Sequence, residues 1–262
     1  MEIAIIGGTG LLGRQVSGEL RARGHEVRVV SRSALSYRAD LTTGAGLDEA
    51  VAGCDVIVDA SNNSSKTAAV TLVEGTRRLL AAGQRAGVPH HVCVSVVGCD
   101  QIPMSYFRVK AAQEGTVTEG PVPWTVVRAT QFHEYLAAML AAGARYGVLP
   151  APRAQLQPVA SAEVARVVAD VAVSGPRRSR VEVAGPEVTS LKDLAVTWRR
   201  AAGSRALLVP LPLPGALGRA LRDGAATTAS PTVTGAATFA SWSDRALARR
   251  AGTVGSPDGA SR

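Results

Sequence analysis

Tyr106 and Lys110 stand four residues apart in Tyr106-Phe107-Arg108-Val109-Lys110, the spacing that puts two side chains on one helical face, one turn apart. A tyrosine phenol titrates at about pH 10 and exchanges protons poorly at neutrality until a nearby cation favours its phenolate, and Lys110 is the residue spaced to supply that charge. The lysine is itself informative, because Lys66, Lys110 and Lys192 are the only lysines in an arginine-rich chain. Ser95, at the carboxyl end of the apolar run His91–Val96, completes the set. Its hydroxyl could orient a substrate carbonyl while Tyr106 protonates the oxygen as hydride reaches the carbon. The same ammonium could hydrogen-bond the ribose of a hydride carrier.

A seat for such a carrier is readable at the other end of the chain. Gly7-Gly8-Thr9-Gly10-Leu11-Leu12-Gly13 follows the apolar run Ile3–Ile6 and opens a segment with Leu12, Val16 and Leu20 at helical spacing; a second apolar run, Val27–Val30, comes next. Glycines permit positive φ and remove side chains, so the backbone can approach a diphosphate that faces a helix N-terminus. The second strand ends Val30-Ser31-Arg32, where an NAD site would place a carboxylate for the ribose hydroxyls. Arg32, nineteen residues past Gly13, instead offers a fork of donors to a 2′-phosphate, with Arg14 near enough to assist, so NADP is expected and NAD less so.

The elements that must position these groups alternate. A short strand is expected at Tyr37–Leu41, a short helix at 46–52, a buried strand at Asp55–Ala60, a helix over 66–87, a strand at His91–Val96, a helix over 106–117 and a strand at Trp124–Arg128. Such alternation with apolar strands implies a parallel sheet covered on both faces. Beyond Thr130 helical segments at 132–145, 162–173, 191–202, 213–221 and 243–250 predominate, with a proline-bearing loop at 150–158 and one strand at 179–184. The expected fold is α/β, a Rossmann-type doubly wound sheet over residues 1–130 with a smaller, mostly helical lobe over 131–250 and a disordered tail over 251–262. No internal repeat is evident.

Composition narrows the classes. Cys54, Cys93 and Cys99 are odd in number and form no C-x-x-C, and with four scattered histidines they give no metal site or disulfide framework. The net charge of +8 is carried by arginines in ones and twos without a basic helix or interleaved aromatics, so no nucleic-acid partner is expected. The chain opens directly on a strand and holds no long apolar span, which reads as a cytoplasmic protein with no membrane partner. Cys99 reads as an inert thiol and Asp59 as a turn acceptor closing its strand.

Taken together, these motifs resemble the atypical short-chain dehydrogenase/reductase superfamily, and within it the NmrA-like NAD(P)-binding group. The resemblance rests on the glycine turn, on Val94-Ser95-Val96-Val97-Gly98, on Tyr106–Glu114, on Pro123–Phe132, and on Gln157-Pro158-Val159 with Glu163-Val164-Ala165. It implies that Asp40 and Leu41 flank the adenine, that Ala60 and Ser61 run along the cofactor, and that residues after Arg128 wall the nicotinamide. Gln131, Phe132 and His133 are then the candidate substrate contacts. The chain departs from the group's pattern in two places: Ser95 stands eleven residues before Tyr106, and Ser61-Asn62-Asn63-Ser64 follows the fourth strand. An NADP-dependent reductase of a small carbonyl or conjugated compound is the expectation. A non-catalytic NADP(H) sensor with a protein partner is the alternative.

Overall fold

The structure, a computed structural model, describes residues 1–254, with side chains to residue 248. In chain order its first half comprises β1 (Glu2–Ile6), α1 (Leu11–Ala22), β2 (Glu26–Ser31), β3 (Tyr37–Arg38), α2 (Leu47–Val51), β4 (Val56–Asp59), α3 (Gly75–Arg85), β5 (His91–Val96), α4 (Ser105–Thr118) and β6 (Trp124–Ala129). The second half adds α5 (His133–Ala144), β7 (Val148–Pro150), β8 (Gln155–Leu156), α6 (Ser161–Val173), β9 (Arg180–Ala184), β10 (Thr189–Ser190), α7 (Leu191–Ala201), β11 (Leu207–Val209), α8 (Gly215–Arg222), β12 (Val233–Thr234) and α9 (Phe239–Val254).

Eight strands form one sheet in the order β3-β2-β1-β4-β5-β6-β9-β12, every neighbouring pair parallel. The expected doubly wound Rossmann-type fold is therefore present, and the order reverses between β1 and β4, where such sheets open a crevice at the carboxyl ends of their strands. Helices α1 and α6 cover one face: Leu12, Val16 and Leu20 meet Val164, Val168 and Val171 over Ile3, Ile5, Val58, Val92 and Val127. On the other face Leu79 and Ala82 of α3 pack on Ala4, Ile6 and Ile57, while Val117 of α4 packs on Cys93 and Val126. Strand β4 is buried throughout, as a central parallel strand covered on both sides must be.

The lobe has its own core of Leu136, Leu140, Leu149, Leu194, Trp198 and Phe239. It is not separate from the sheet, because β9 and β12 return to pair beside β6. Local departures from expectation are small. Residues 70–74 form a π turn that leads straight into α3, β3 keeps only two residues, and β12 carried no readable signal. Helix α9 starts at Phe239 and runs to Val254, into the stretch expected as tail; residues 255–262 lie outside the described residues.

Candidate cofactor site

The turn between β1 and α1 is built around contacts that only glycine permits. Gly7 has φ +73°, and a Cβ there would lie 2.9 Å from the Ala60 carbonyl oxygen and from the Ser61 nitrogen. A Cβ on Gly13 would strike the Gly7 carbonyl oxygen, and one on Gly8 would sit 2.8 Å from the Ile5 carbonyl oxygen. The turn is closed by Gly10 N–H donating to the Gly7 carbonyl at 2.9 Å, and α1 then begins on Gly10 with no side-chain cap and no acidic residue in its first turn. Its leading N–H groups are thus unclaimed by the protein's own side chains, which with the positive end of the helix dipole suits a diphosphate. Arg14, expected near a 2′-phosphate, instead donates to the Thr9 carbonyl at 2.6 Å and braces the turn.

Facing the turn across the crevice is the loop after β4. Asp59 accepts from the Ser61 N–H at 3.0 Å, the turn-acceptor role expected of it, and Ala60 N–H donates to the Ile6 carbonyl. The Ser61 hydroxyl is buried without a hydrogen-bond partner. An unpaired buried hydroxyl against a glycine-lined turn fits a polar ligand that supplies the missing bond. Arg32 lies exposed just past β2, with Ser31 Oγ accepting from Ser33 N–H. Asp40 accepts from Thr42 N–H, and Leu41 is buried against Gly75.

Ser95, Tyr106 and Lys110 are held by β5 and α4 as expected, but their polar atoms do not converge. The Tyr106 hydroxyl donates to Asn62 Oδ1 at 3.0 Å, in the loop after β4. Its pKa is pushed up to about 12, chiefly by burial and then by neighbouring Tyr135, with the Asn62 bond opposing. The expected lowering by Lys110 does not occur. Lys110, 3% exposed, turns its ammonium inward, donating to the Val94 carbonyl at 2.7 Å and to Gln113 Oε1 at 2.5 Å. The Ser95 hydroxyl is buried with no bond of acceptable geometry, though it lies close enough to Glu114 to favour that carboxylate.

The three substrate candidates all make bonds within the protein. His133 is fully buried, its Nε2 2.9 Å from the Pro158 carbonyl and its ring packed on Phe239 and Trp242, and burial lowers its pKa, so it is a neutral core histidine. Gln131 donates to the Ala226 carbonyl and accepts from Gln157 N–H, and Phe132 bridges to Val159. A polar segment lining a pocket after β6 cannot be told by sequence from one tying the lobe to the sheet. Two constellations went unread. Asn62 holds Tyr106, and Glu114 forms a buried bidentate pair with Arg128, both bonds 2.8 Å, joined by Arg180 at 3.0 Å. Cys99 donates to Glu114, and burial pushes its thiol up to about 12, as an inert thiol requires. Among the described residues there is no cluster of three or more metal-ligating side chains, and no helix is long and apolar enough to cross a membrane.

Fold and glycine turn together define a nicotinamide-dinucleotide-binding protein. The family model for NAD(P)H-binding proteins matches residues 7–174, and the chain belongs to that family. It is similar to a (4-alkanoyl-5-oxo-2,5-dihydrofuran-3-yl)methyl phosphate reductase of Streptomyces griseus, 29% identical over 220 residues that cover 77% of this chain and 74% of that one. Among solved structures, its fold is shared with the NADPH-dependent quinone oxidoreductase QOR2 of Escherichia coli in complex with NADPH, at TM-score 0.75, 20% identity and coverage of 94% and 99%. A nucleoside-diphosphate-sugar epimerase of Staphylococcus aureus gives TM-score 0.75 at 16% identity, covering 93% and 100%. The expected NAD(P)-binding family and Rossmann-type fold are thus both present.

Proposed function

We propose that the protein is an NADP-dependent reductase of a small carbonyl or conjugated substrate. One observation carries the reading: an uncapped helix N-terminus behind a glycine turn that touches the Ser61 loop at the reversal point of the sheet. Arg32, with no carboxylate at the end of β2, supports NADP over NAD. When bound, the nicotinamide supplies a hydride. Tyr106 supplies the proton. As a neutral phenol it holds that proton toward Asn62 Oδ1 at rest, and a substrate oxygen placed beside it takes over as acceptor. Lys110 has no part in charging this tyrosine, and the relative named as a reductase supports turnover.

The test is loss of NADPH absorbance across aldehydes, ketones, quinones and unsaturated lactones. Turnover should fall by about a hundredfold or more in Tyr106→Phe, with NADPH affinity within about twofold of wild type. The inward Lys110 also favours a second reading, a sensor that binds NADP(H) without consuming it. Tight binding with no turnover over the whole panel would establish that reading in place of the first.

A further inference from the structure

Lys110 ends a chain of buried polar groups that runs to the cofactor seat. Its ammonium bonds Gln113 Oε1 at 2.5 Å; Gln113 Nε2 donates to Asp59 Oδ2 and to Thr76 Oγ1, both at 3.1 Å; and Thr76 Oγ1 donates to the same Asp59 oxygen at 3.3 Å. Asp59, Thr76 and Gln113 are 0% exposed. Asp59 then uses its other oxygen on Ser61 N–H, and Ser61 lies with Ala60 against Gly7. The chain thereby crosses α4, α3 and β4, and Lys110 ties it to β5 through the Val94 carbonyl.

We infer that Lys110 is a positioning residue, which acts through Gln113 and Asp59 to hold the Ser61 loop against the glycine turn and so sets the width of the diphosphate seat. Enclosing an ammonium and a carboxylate under a sheet is costlier than enclosing apolar side chains of similar size, so the network contributes geometry rather than stability. The geometry it fixes is one that backbone bonding leaves loose. Asn62–Ser64 belong to no strand or helix, and the Asp59 carboxylate is what holds the first N–H of that loop. Two of the three ammonium donors are already committed inside the protein. The Ser61 hydroxyl, unpaired at the far end, is the group whose placement the network controls.

The inference rests on the dinucleotide reading above, and the experiment separates the two. Calorimetric titration of the full chain with NADPH is run on wild type, Lys110→Met, Gln113→Met, their double variant and Thr76→Val. Each Met variant should bind about tenfold more weakly, and the double variant no more weakly than either single one, because each breaks the same chain. Thr76→Val, which keeps the volume, should weaken binding about threefold, and it carries the test if Met at 113 prevents folding. A merely structural role would lower the fraction of competent protein, read as titration stoichiometry, and leave the affinity of the remainder unchanged. Wild-type affinity in Gln113→Met or Thr76→Val, or single losses that multiply to about a hundredfold in the double variant, would overturn the relay. Wild type that takes up neither NADPH nor NADH would overturn the dinucleotide reading itself.

Discussion

At the scale of the residue, the protonation of Tyr106 decides how the site behaves with pH. Because burial raises its phenol to about 12, the proton-donating form persists from neutral pH well into the alkaline range. Reduction should therefore show no alkaline limb between about pH 6 and 9, whereas a lysine-activated phenolate would lose its donor there; kcat profiles under saturating NADPH distinguish the two. Arg32 makes a second residue-level prediction. Its replacement by Ala should raise the KM for NADPH by about tenfold and leave that for NADH within about twofold, since only the 2′-phosphate loses a charged donor. Gly13→Ala should both weaken NADPH binding and destabilise the fold by about 1–3 kcal/mol, as its methyl meets the Gly7 carbonyl, read as a lowered Tm with reduced uptake. Of these residues the glycines were legible as the turn between a strand and a helix, because an apolar run precedes them and a helical period follows. Lys110 was legible as special but not as inward-facing, because helical spacing fixes which face a side chain leaves from and not which partner its long stem reaches.

Between elements, the Glu114–Arg128 pair fastens α4 to β6 beneath Ser95. Burial alone would raise the Glu114 carboxyl, and the bonds and charge of Arg128 and Arg180 outweigh it, holding the group down to about 2. An acid depressed in this way stabilises the fold above its unfolded value of about 4.3 and loses that contribution as pH falls toward about 2. His91 acts over a neighbouring window. Fully buried with both ring nitrogens unpaired, it is lowered by burial to about 4, so the unfolded chain takes up its proton first as pH falls below about 6.5, and stability drops from there. Calorimetric Tm should decline in two stages on acidification, the first flattened in His91→Leu. Arg128→Met, which breaks the bidentate pair and leaves Glu114 only the half-exposed Arg180 as a cation, should cost about 3 kcal/mol at neutral pH by denaturant titration. The pair escaped sequence reading because Glu114 and Arg128 are distant in sequence and each has many exposed counterparts. The strands and helices up to β6 were readable because their apolar periods persist for a full element. The two-residue β12 has no period to read, and of the short strand expected at Tyr37–Leu41 only Tyr37–Arg38 pairs.

Seen whole, the molecule closes its sheet with material from its second half. Gln131, His133 and Gln157 bond across to Ala226, Pro158 and Gly185, and β9 lies directly against β6. Strand β6 is buried along its entire length, with β5 on one side and β9 on the other. A piece ending near residue 150 would accordingly leave a bare, six-residue hydrophobic strand without its hydrogen-bonding mate, and should precipitate when produced alone. Synthesised together, residues 1–150 and 151–262 should instead reassemble into a soluble pair, so that either half reports on the presence of the other. The dinucleotide seat, though written almost wholly in the opening third of the chain, could then be switched on by supplying its distant remainder.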